Sequence, residues 1–396
     1  MSISPHDFRQ EVKQELFRIL DYWMKHAPDN EKGGFYGFVN DKNIPDSNAD
    51  KAIVINSRIL WTFSAAHQLF PNPEYPVIAK RAFDYISKYF IDEKYGGVYW
   101  SVASDGSPKQ TKKQLYGHAF AIYGISEYFK ITHDKTVLRT AVDIFKQVIN
   151  HAYDADKGGY TEAFERDWSN TDDYILSKAP DSKSMNTHLH LLEAFTNLYR
   201  AWKDESSRFH LQHSIDVMLN RIINPATNSM TLFFAKDWER KSTIISYGHD
   251  IEASWLLYEA AEVLGDKAII DKCKTMSMKM SKAAKNGLAE DGSLNYELDT
   301  VTNHLNDSKQ WWPQTEAMVG FFNAYQLTGK VNYLEKSEKV WEFIKKHLMD
   351  YEYGEWCGDI SADYKILSCD KITFWKCPYH NGRACMEIWK RFGKKE

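Results

Sequence analysis

Tyr95-Gly96-Gly97-Val98-Tyr99 is one copy of a turn that this chain repeats along its length. Lys32-Gly33-Gly34-Phe35-Tyr36 and Lys157-Gly158-Gly159-Tyr160-Thr161 have the same form. Weaker copies read Asn228-Ser229-Met230-Thr231-Leu232, Asp291-Gly292-Ser293-Leu294-Asn295-Tyr296 and Tyr353-Gly354-Glu355-Trp356. Successive copies stand 62 to 70 residues apart, six copies in 396 residues. A steady period of that size marks a repeat architecture. The Gly pairs suit turn positions with positive φ, and the aromatic and β-branched residues after them suit brief strands. Each turn is therefore expected to carry a short β-hairpin.

Between the turns, apolar residues recur at three- and four-residue spacing, the mark of helices. The segments are Phe8 to Ala27, Ser57 to Phe70, Val77 to Phe90, Tyr116 to Thr132, Lys135 to Ala152 and Thr187 to Trp202. Phe209 to Ile223, Ile251 to Leu264, Lys267 to Ala284, Pro313 to Leu327 and Val331 to Leu348 continue the series. Roughly two helices per repeat predict an all-α fold of six helical hairpins closed into an (α/α)6 barrel. The rival is an open α-solenoid. Six copies, and the lack of likeness between repeats outside the turns, favour closure.

No Pro/Ser/Gly linker, charge run or compositional break divides the chain, so residues 1–396 read as one domain. Hydrophobic residues make up 43%, ample for a core, and the 13 Trp and 23 Tyr exceed what ordinary helix packing needs. Both ring types pair an apolar face with a polar edge and suit binding clefts. A net charge of −4 with dispersed Lys and Arg argues against nucleic acid and anionic membrane as partners. No 18-residue apolar run exists, and Met1 to Asp7 does not read as a signal peptide, so a cytoplasmic location is expected. The five Cys lack CxxC spacing and read as free thiols in a reducing compartment. Oligomeric state is not legible, and a monomer is the default.

Some 20 to 30 residues past each turn, where the next inner helix would begin, polar and aromatic residues gather. They read Asn56-Ser57-Arg58, Tyr116-Gly117-His118, Asn186-Thr187-His188-Leu189-His190, Tyr247-Gly248-His249-Asp250-Ile251-Glu252, Trp311-Trp312-Pro313-Gln314-Thr315-Glu316 and Trp375-Lys376-Cys377-Pro378-Tyr379-His380. In a closed barrel the six stretches are equivalent by rotation and face one central cavity. Asn186 with His190, and His249 with Glu252, share a helix face, and Glu316 lies one turn beyond Trp312.

A lone His near a helix start is more often a cap or a packed side chain. Barrel-equivalent positions favour function for His190, His249 and His380, whereas His188, two residues from His190, reads as structural. Arg58 in an apolar helix is costly without a partner, which points to an anion or a substrate hydroxyl. Of Trp311 and Trp312, one is expected to pack and the other to line the cavity. His-x-His with a distant His and Glu can hold zinc, yet no HExxH, 2-His-1-carboxylate or Cys pair accompanies it, so no metal is expected. Glu252 and Glu316 might instead be glycosidase carboxylates, which leaves the His residues unexplained.

The segments Met185 to Ala194, Tyr247 to Trp255 and Trp375 to Asn381 resemble the N-acylglucosamine 2-epimerase superfamily, most of all its cellobiose 2-epimerases. The likeness runs nearly end to end. It implies an (α/α)6 barrel acting on a reducing-end sugar without cofactor. It also implies a site built from Arg58, Tyr116, Asn186, His190, His249, Glu252, Trp312, Glu316, Trp375 and His380, with Trp311 an alternative to Trp312. The activity implied is inversion of C2 in the reducing-end glucose of a β-1,4-disaccharide such as cellobiose or lactose.

C2–H is acidic only beside a carbonyl, so the ring must open before one base removes the proton and a second returns it on the other face. Imidazole, with a pKa near 6.5, suits both tasks. His249 and His380 are the expected pair, Glu252 the group orienting His249, and His190 with Arg58 the aids to ring opening and enediolate charge. A mannose 2-epimerase or aldose–ketose isomerase needs nearly the same residues. An (α/α)6 glycoside hydrolase and a sugar-binding barrel that lacks catalysis stay open as further readings.

Overall fold

The computed structural model describes residues 4–177 and 182–393. Its twelve helices alternate between an outer and an inner layer. The outer helices are α1 (Pro5–His26), α3 (Glu74–Tyr85), α5 (Lys135–Ala152), α7 (Glu205–Val217), α9 (Lys267–Ala284) and α11 (Val331–His347). The inner ones are α2 (Ile53–Leu69), α4 (Leu115–Thr132), α6 (Met185–Ala201), α8 (Tyr247–Leu264), α10 (Trp311–Thr328) and α12 (Tyr379–Gly393). Each inner helix packs on the next, and α12 packs back on α2, which closes the ring. The open solenoid is thereby ruled out: the fold is an (α/α)6 barrel.

The layers differ as their surroundings require. Outer α5 buries Val137, Ala141, Val142, Ile144, Phe145, Val148 and Ala152, one stripe of an amphipathic helix. Inner α4 is buried at every residue from Leu115 to Tyr128, because it has neighbours on all sides. Inner helices α2, α4, α6, α8 and α10 begin one to four residues earlier than their apolar pattern predicts. Their first turns face a cavity instead of the core, so polar residues and Gly stand where the period asks for apolar ones. The same cause hid α12, whose opening residues include His380, Asn381 and Arg383.

Each Gly turn is closed by a lone bridge, such as Ile91 to Val98 and Tyr153 to Tyr160. A buried latch joins the turn to the inner helix that follows. Lys113 Nζ donates to Asp92 Oδ2 and to the Gly96 carbonyl, each at 2.8 Å. Lys51 binds Asp29 and the Gly33 carbonyl, and Lys183 binds Asp154 and the Gly158 carbonyl, in the same way. The other oxygen of each Asp accepts backbone N–H groups of its turn. Each of these Lys residues sits two positions before its helix, in a strand pair with the segment after the next turn. Lys113–Gln114, for instance, pairs antiparallel with Ala163–Phe164. The latch thus sets where the inner helix starts.

A second tie runs from the helix back to the turn. The Val98 N–H donates to His118 Nε2 at 3.1 Å and the Tyr160 N–H to His188 Nε2 at 2.9 Å. Met230 uses Asp250 and Leu294 uses Gln314 in the equivalent place. Gly97 has φ +70°, and a Cβ there would lie 2.5 Å from His118 Nε2, so the approach requires glycine.

One expectation fails. Cys357 and Cys369 form a disulfide across the hairpin of Asp359–Ile360 and Ile366–Ser368, so only Cys273, Cys377 and Cys385 are free, all buried. Tertiary pairing, not CxxC spacing, brings the two sulfurs together. Among the described residues no helix is long and apolar enough to cross a membrane.

Burial, opposed by the Gln114 carbonyl on Nδ1, holds His118 down at about 3, and burial holds His188 at about 4. A group depressed in the fold contributes stability above its unfolded pKa of ~6.5 and loses it as pH falls toward the folded value, on the order of 2 kcal/mol per imidazole between pH 7 and pH 5. Gln accepts the same N–H in the fifth repeat. The double variant His118→Gln, His188→Gln is therefore expected to lose less stability over that interval than the parent in urea titrations, and equal losses would contradict the tie.

Candidate active site

The first turns of the inner helices meet around a cavity of about 340 Å³. It is lined by Arg58, Tyr116, Asn186, His190, His249, Glu252, Trp311, Trp312, Trp375 and His380, with Leu176, Tyr296 and Gln310. Ten residues singled out in the sequence therefore share one wall. Glu316 does not: it lies behind His380, buried, with no face on the cavity. Trp311 and Trp312 both line the space, where one was expected to pack away. Trp375 stands at the mouth, 38% exposed, against Trp100 and Tyr116.

Each of the three cavity imidazoles is held at Nδ1 by a different partner. His380 Nδ1 lies 2.8 Å from Glu316 Oε1, His190 Nδ1 3.1 Å from Glu193 Oε2, and His249 Nδ1 2.8 Å from Ser246 Oγ. Glu252 was expected to orient His249. Ser246 does so instead, because it sits three residues earlier, where the strand feeds α8. A carboxylate at Nδ1 fixes that proton and leaves the Nε2 lone pair free. The His249 and His380 rings both rest on Trp312, with ring centres 4.5 and 5.8 Å away, so one small molecule can meet both.

Burial pushes His249 down to about 3, helped by His190 and opposed by Glu316. Burial, with Arg58 and Arg383 nearby, carries His380 well below the usual imidazole range, and burial lowers His190 against the pull of Glu193. All three are neutral at neutral pH, as a general base requires.

Under the cavity floor Arg383, one turn beyond His380, binds three carboxylates. Its Nη2 donates to Glu252 Oε1 at 2.6 Å and to Glu316 Oε1 at 2.7 Å, and Nη1 binds Glu193 and the Tyr379 hydroxyl. Burial, aided by Glu316, raises Glu252 to about 8, while Arg383 overcomes burial to draw Glu193 down to about 2. Glu252, Glu316 and His380 offer atoms within 4.8 Å of one another, a spacing a metal could use. The Arg383 guanidinium already sits against both carboxylates, and the donors do not fit a further cation. Glu316 has no face on the cavity, so Glu252 and Glu316 cannot flank a bond held there, as a glycosidase pair must.

Arg58 donates from Nη2 to the Tyr116 hydroxyl at 2.8 Å and from Nη1 to the Trp375 carbonyl at 3.2 Å. Its guanidinium lies 4.1 Å from the centre of the Phe120 ring and 5.0 Å from that of Tyr379, so aromatic faces and neutral oxygens hold it. Arg58 Nε, Asn186 Oδ1, Glu252 Oε2 and Trp311 Nε1 are buried without a protein partner. Buried polar atoms left open around one cavity are places for a polar ligand. His188, expected to be structural, serves the Gly turn. Sequence reading passed over Glu193 and Arg383, although each lies three residues past a singled-out His and so on the same helix face.

Residues 15–383 match the profile of the family described as N-acylglucosamine 2-epimerase (GlcNAc 2-epimerase). A cellobiose 2-epimerase of Bacteroides fragilis is 45% identical, over 96% of this chain and 98% of its own. One of Ruminococcus albus is 40% identical over the same shares. The solved cellobiose 2-epimerase of Bacillus thermoamylovorans superposes with a TM-score of 0.93 at 35% identity, over 98% of this chain and all of that one.

In the empty protein, neither His249 nor His380 is expected to titrate between pH 8 and pH 5. Nitrogen-15 imidazole NMR checks this, and a midpoint above pH 6 for either ring would contradict the arrangement.

Proposed function

The chain belongs to the N-acylglucosamine 2-epimerase family and is a carbohydrate epimerase, and from that premise we propose the reaction of this cavity. It inverts C2 of the reducing-end glucose of a β-1,4-linked disaccharide, cellobiose or lactose, to give the mannose epimer. What supports the reading is the pair of neutral imidazoles, His249 and His380, which line one cavity with ring centres 4.5 and 5.8 Å from that of Trp312.

Ring opening comes first, since only the aldehyde form makes C2–H acidic. His190 and Glu252 reach the cavity beside Asn186 and attend O1 and the ring oxygen. His380 takes the C2 proton on Nε2, and Glu316 at its Nδ1 stabilises the imidazolium that forms. His249 serves the other face. Burial depresses both imidazoles. An enediolate between them supplies a counter-charge that raises both, so His249 takes a proton from water and returns it to C2 on the opposite face, while His380 later releases the abstracted proton to water. The enediolate is further stabilised by Arg58 and by the six inner-helix N-termini, whose positive dipole ends converge on the site. The hydrogen leaves and returns as a proton, so the chemistry asks for no redox partner.

The reducing-end sugar lies against Trp312 and Trp311, and the second sugar stacks on Trp375 at the mouth, with Leu176 and Tyr296 on the adjoining wall. An aldose–ketose isomerase would need one base to move the proton from C2 to C1 and has no task for the other imidazole. The same chemistry on free mannose leaves the half-exposed face of Trp375 without a partner. We place the reaction in the cytoplasm, in carbohydrate metabolism.

Incubating the protein with cellobiose, lactose and mannose separately in D2O is expected to yield, by NMR, the epimer with deuterium at C2 from the two disaccharides and far less product from mannose. His249→Ala and His380→Ala are each expected to abolish that exchange, and full exchange in both disposes of the two-base scheme. Glu316→Gln is expected to lower kcat by about 10²–10³ with little change in KM, because the imidazolium loses its counter-charge. An unchanged kcat would remove Glu316 from the mechanism.

A further inference from the structure

We propose that Arg383 is a positioning residue that ties His190 and His380 to one cation, through Glu193 and Glu316, and keeps the proton of the Glu252–Glu316 pair on Glu252. The inference rests on the reaction proposed above and deepens it by assigning the charge state that the reaction starts from.

The geometry carries it. Glu316 accepts from three donors: Arg383 Nη2 and His380 Nδ1 at Oε1, and Trp255 Nε1 at Oε2, 3.2 Å away. Glu252 accepts only from Arg383 at Oε1, and its Oε2 has no protein partner. Hydrogen bonds to the charged form favour ionisation, so of two adjacent carboxyls on one Nη2 the better-donated one ionises first. A single guanidinium cannot neutralise three carboxylates in a buried site, and the one with fewest donors keeps its proton. Glu252 lines the cavity, and its Oε2, without a protein partner, is free to carry the retained proton as an O–H.

The charged and titratable groups facing this centre are few. Arg58 comes from α2, Tyr116 and Tyr123 from α4, His190 and Glu193 from α6, His249 and Glu252 from α8, Glu316 from α10, and Tyr379 with His380 from α12. With the imidazoles neutral and Glu252 protonated, two guanidiniums meet two carboxylates and the site is balanced. Arg383 itself rests on the Trp255 and Tyr379 rings, 4.9 and 4.3 Å from their centres, which fixes the plane from which both nitrogens donate. Lys, a point charge on a flexible stem, cannot make the same fork.

The test compares Arg383→Met and Arg383→Lys with the parent. Carbon-13 NMR of the Glu side-chain carboxyls in the unliganded protein at pH 7 is expected to show Glu252 protonated and Glu193 and Glu316 ionised. In Arg383→Met a second carboxyl is expected to take a proton, kcat to fall at least 100-fold with KM within threefold, and the acid limb of kcat to move to higher pH. In Arg383→Lys the protonation count is expected to hold while kcat falls at least tenfold. A role in packing alone would lower the melting temperature and leave the carboxyl signals and the pH limb in place; that result overturns the proposal. Should Arg383→Met not fold, parental kcat in Arg383→Lys overturns it equally. A parent that exchanges no C2 hydrogen in any of the three sugars refutes the proposed reaction instead, and the carboxyl signals still report on Arg383.

Discussion

Six inner helices closed edge to edge leave the side chains of their first turns nowhere to go except toward one another. Everything distinctive about this molecule follows from that enclosure. Polar groups gathered there are out of bulk water, so each must find a partner or wait for a ligand. The Lys–Asp latches and the His118 and His188 ties answer the first demand at the turns. Toward the axis, Asn186, Glu252, Arg58 and Trp311 keep atoms without protein partners.

Enclosure also sets the electrostatics. Burial lowers every cavity imidazole and raises Glu252, so the site holds neutral bases and a neutral acid at the pH where free His would be partly charged. Glu193 and Glu316 stand behind imidazoles and off the cavity wall, where they serve the rings instead of facing the cavity. Charge is allowed only where it is countered, at Arg383 against Glu193 and Glu316 and at Arg58 against aromatic faces.

The sequence was most legible where periodicity is undisturbed. Lys135 to Ala152 and Lys267 to Ala284 were bounded correctly, because outer helices have one dry face and one wet face. It was least legible at the inner helix starts and at α12, where cavity-facing residues replace apolar ones. For the site, rotational equivalence of the turns brought ten residues to the cavity wall in advance. The partner of His249 was misjudged because Ser246 belongs to the preceding strand, outside the helical spacing used to pair side chains. The Cys357–Cys369 bond was missed because a hairpin register makes it.

The amino-acid sequence by itself determined the six-fold period, the alternation of helices and the residues that stand at equivalent points of a ring, since these depend on local turn chemistry and spacing alone. The tertiary structure decided which group holds each imidazole, that Glu316 lies behind the wall and not on it, and that one guanidinium from α12 gathers carboxylates from α6, α8 and α10. Those pairings span 67 to 190 residues along the chain, and no spacing rule reaches across such separations; only closure of the ring brings them within hydrogen-bond distance.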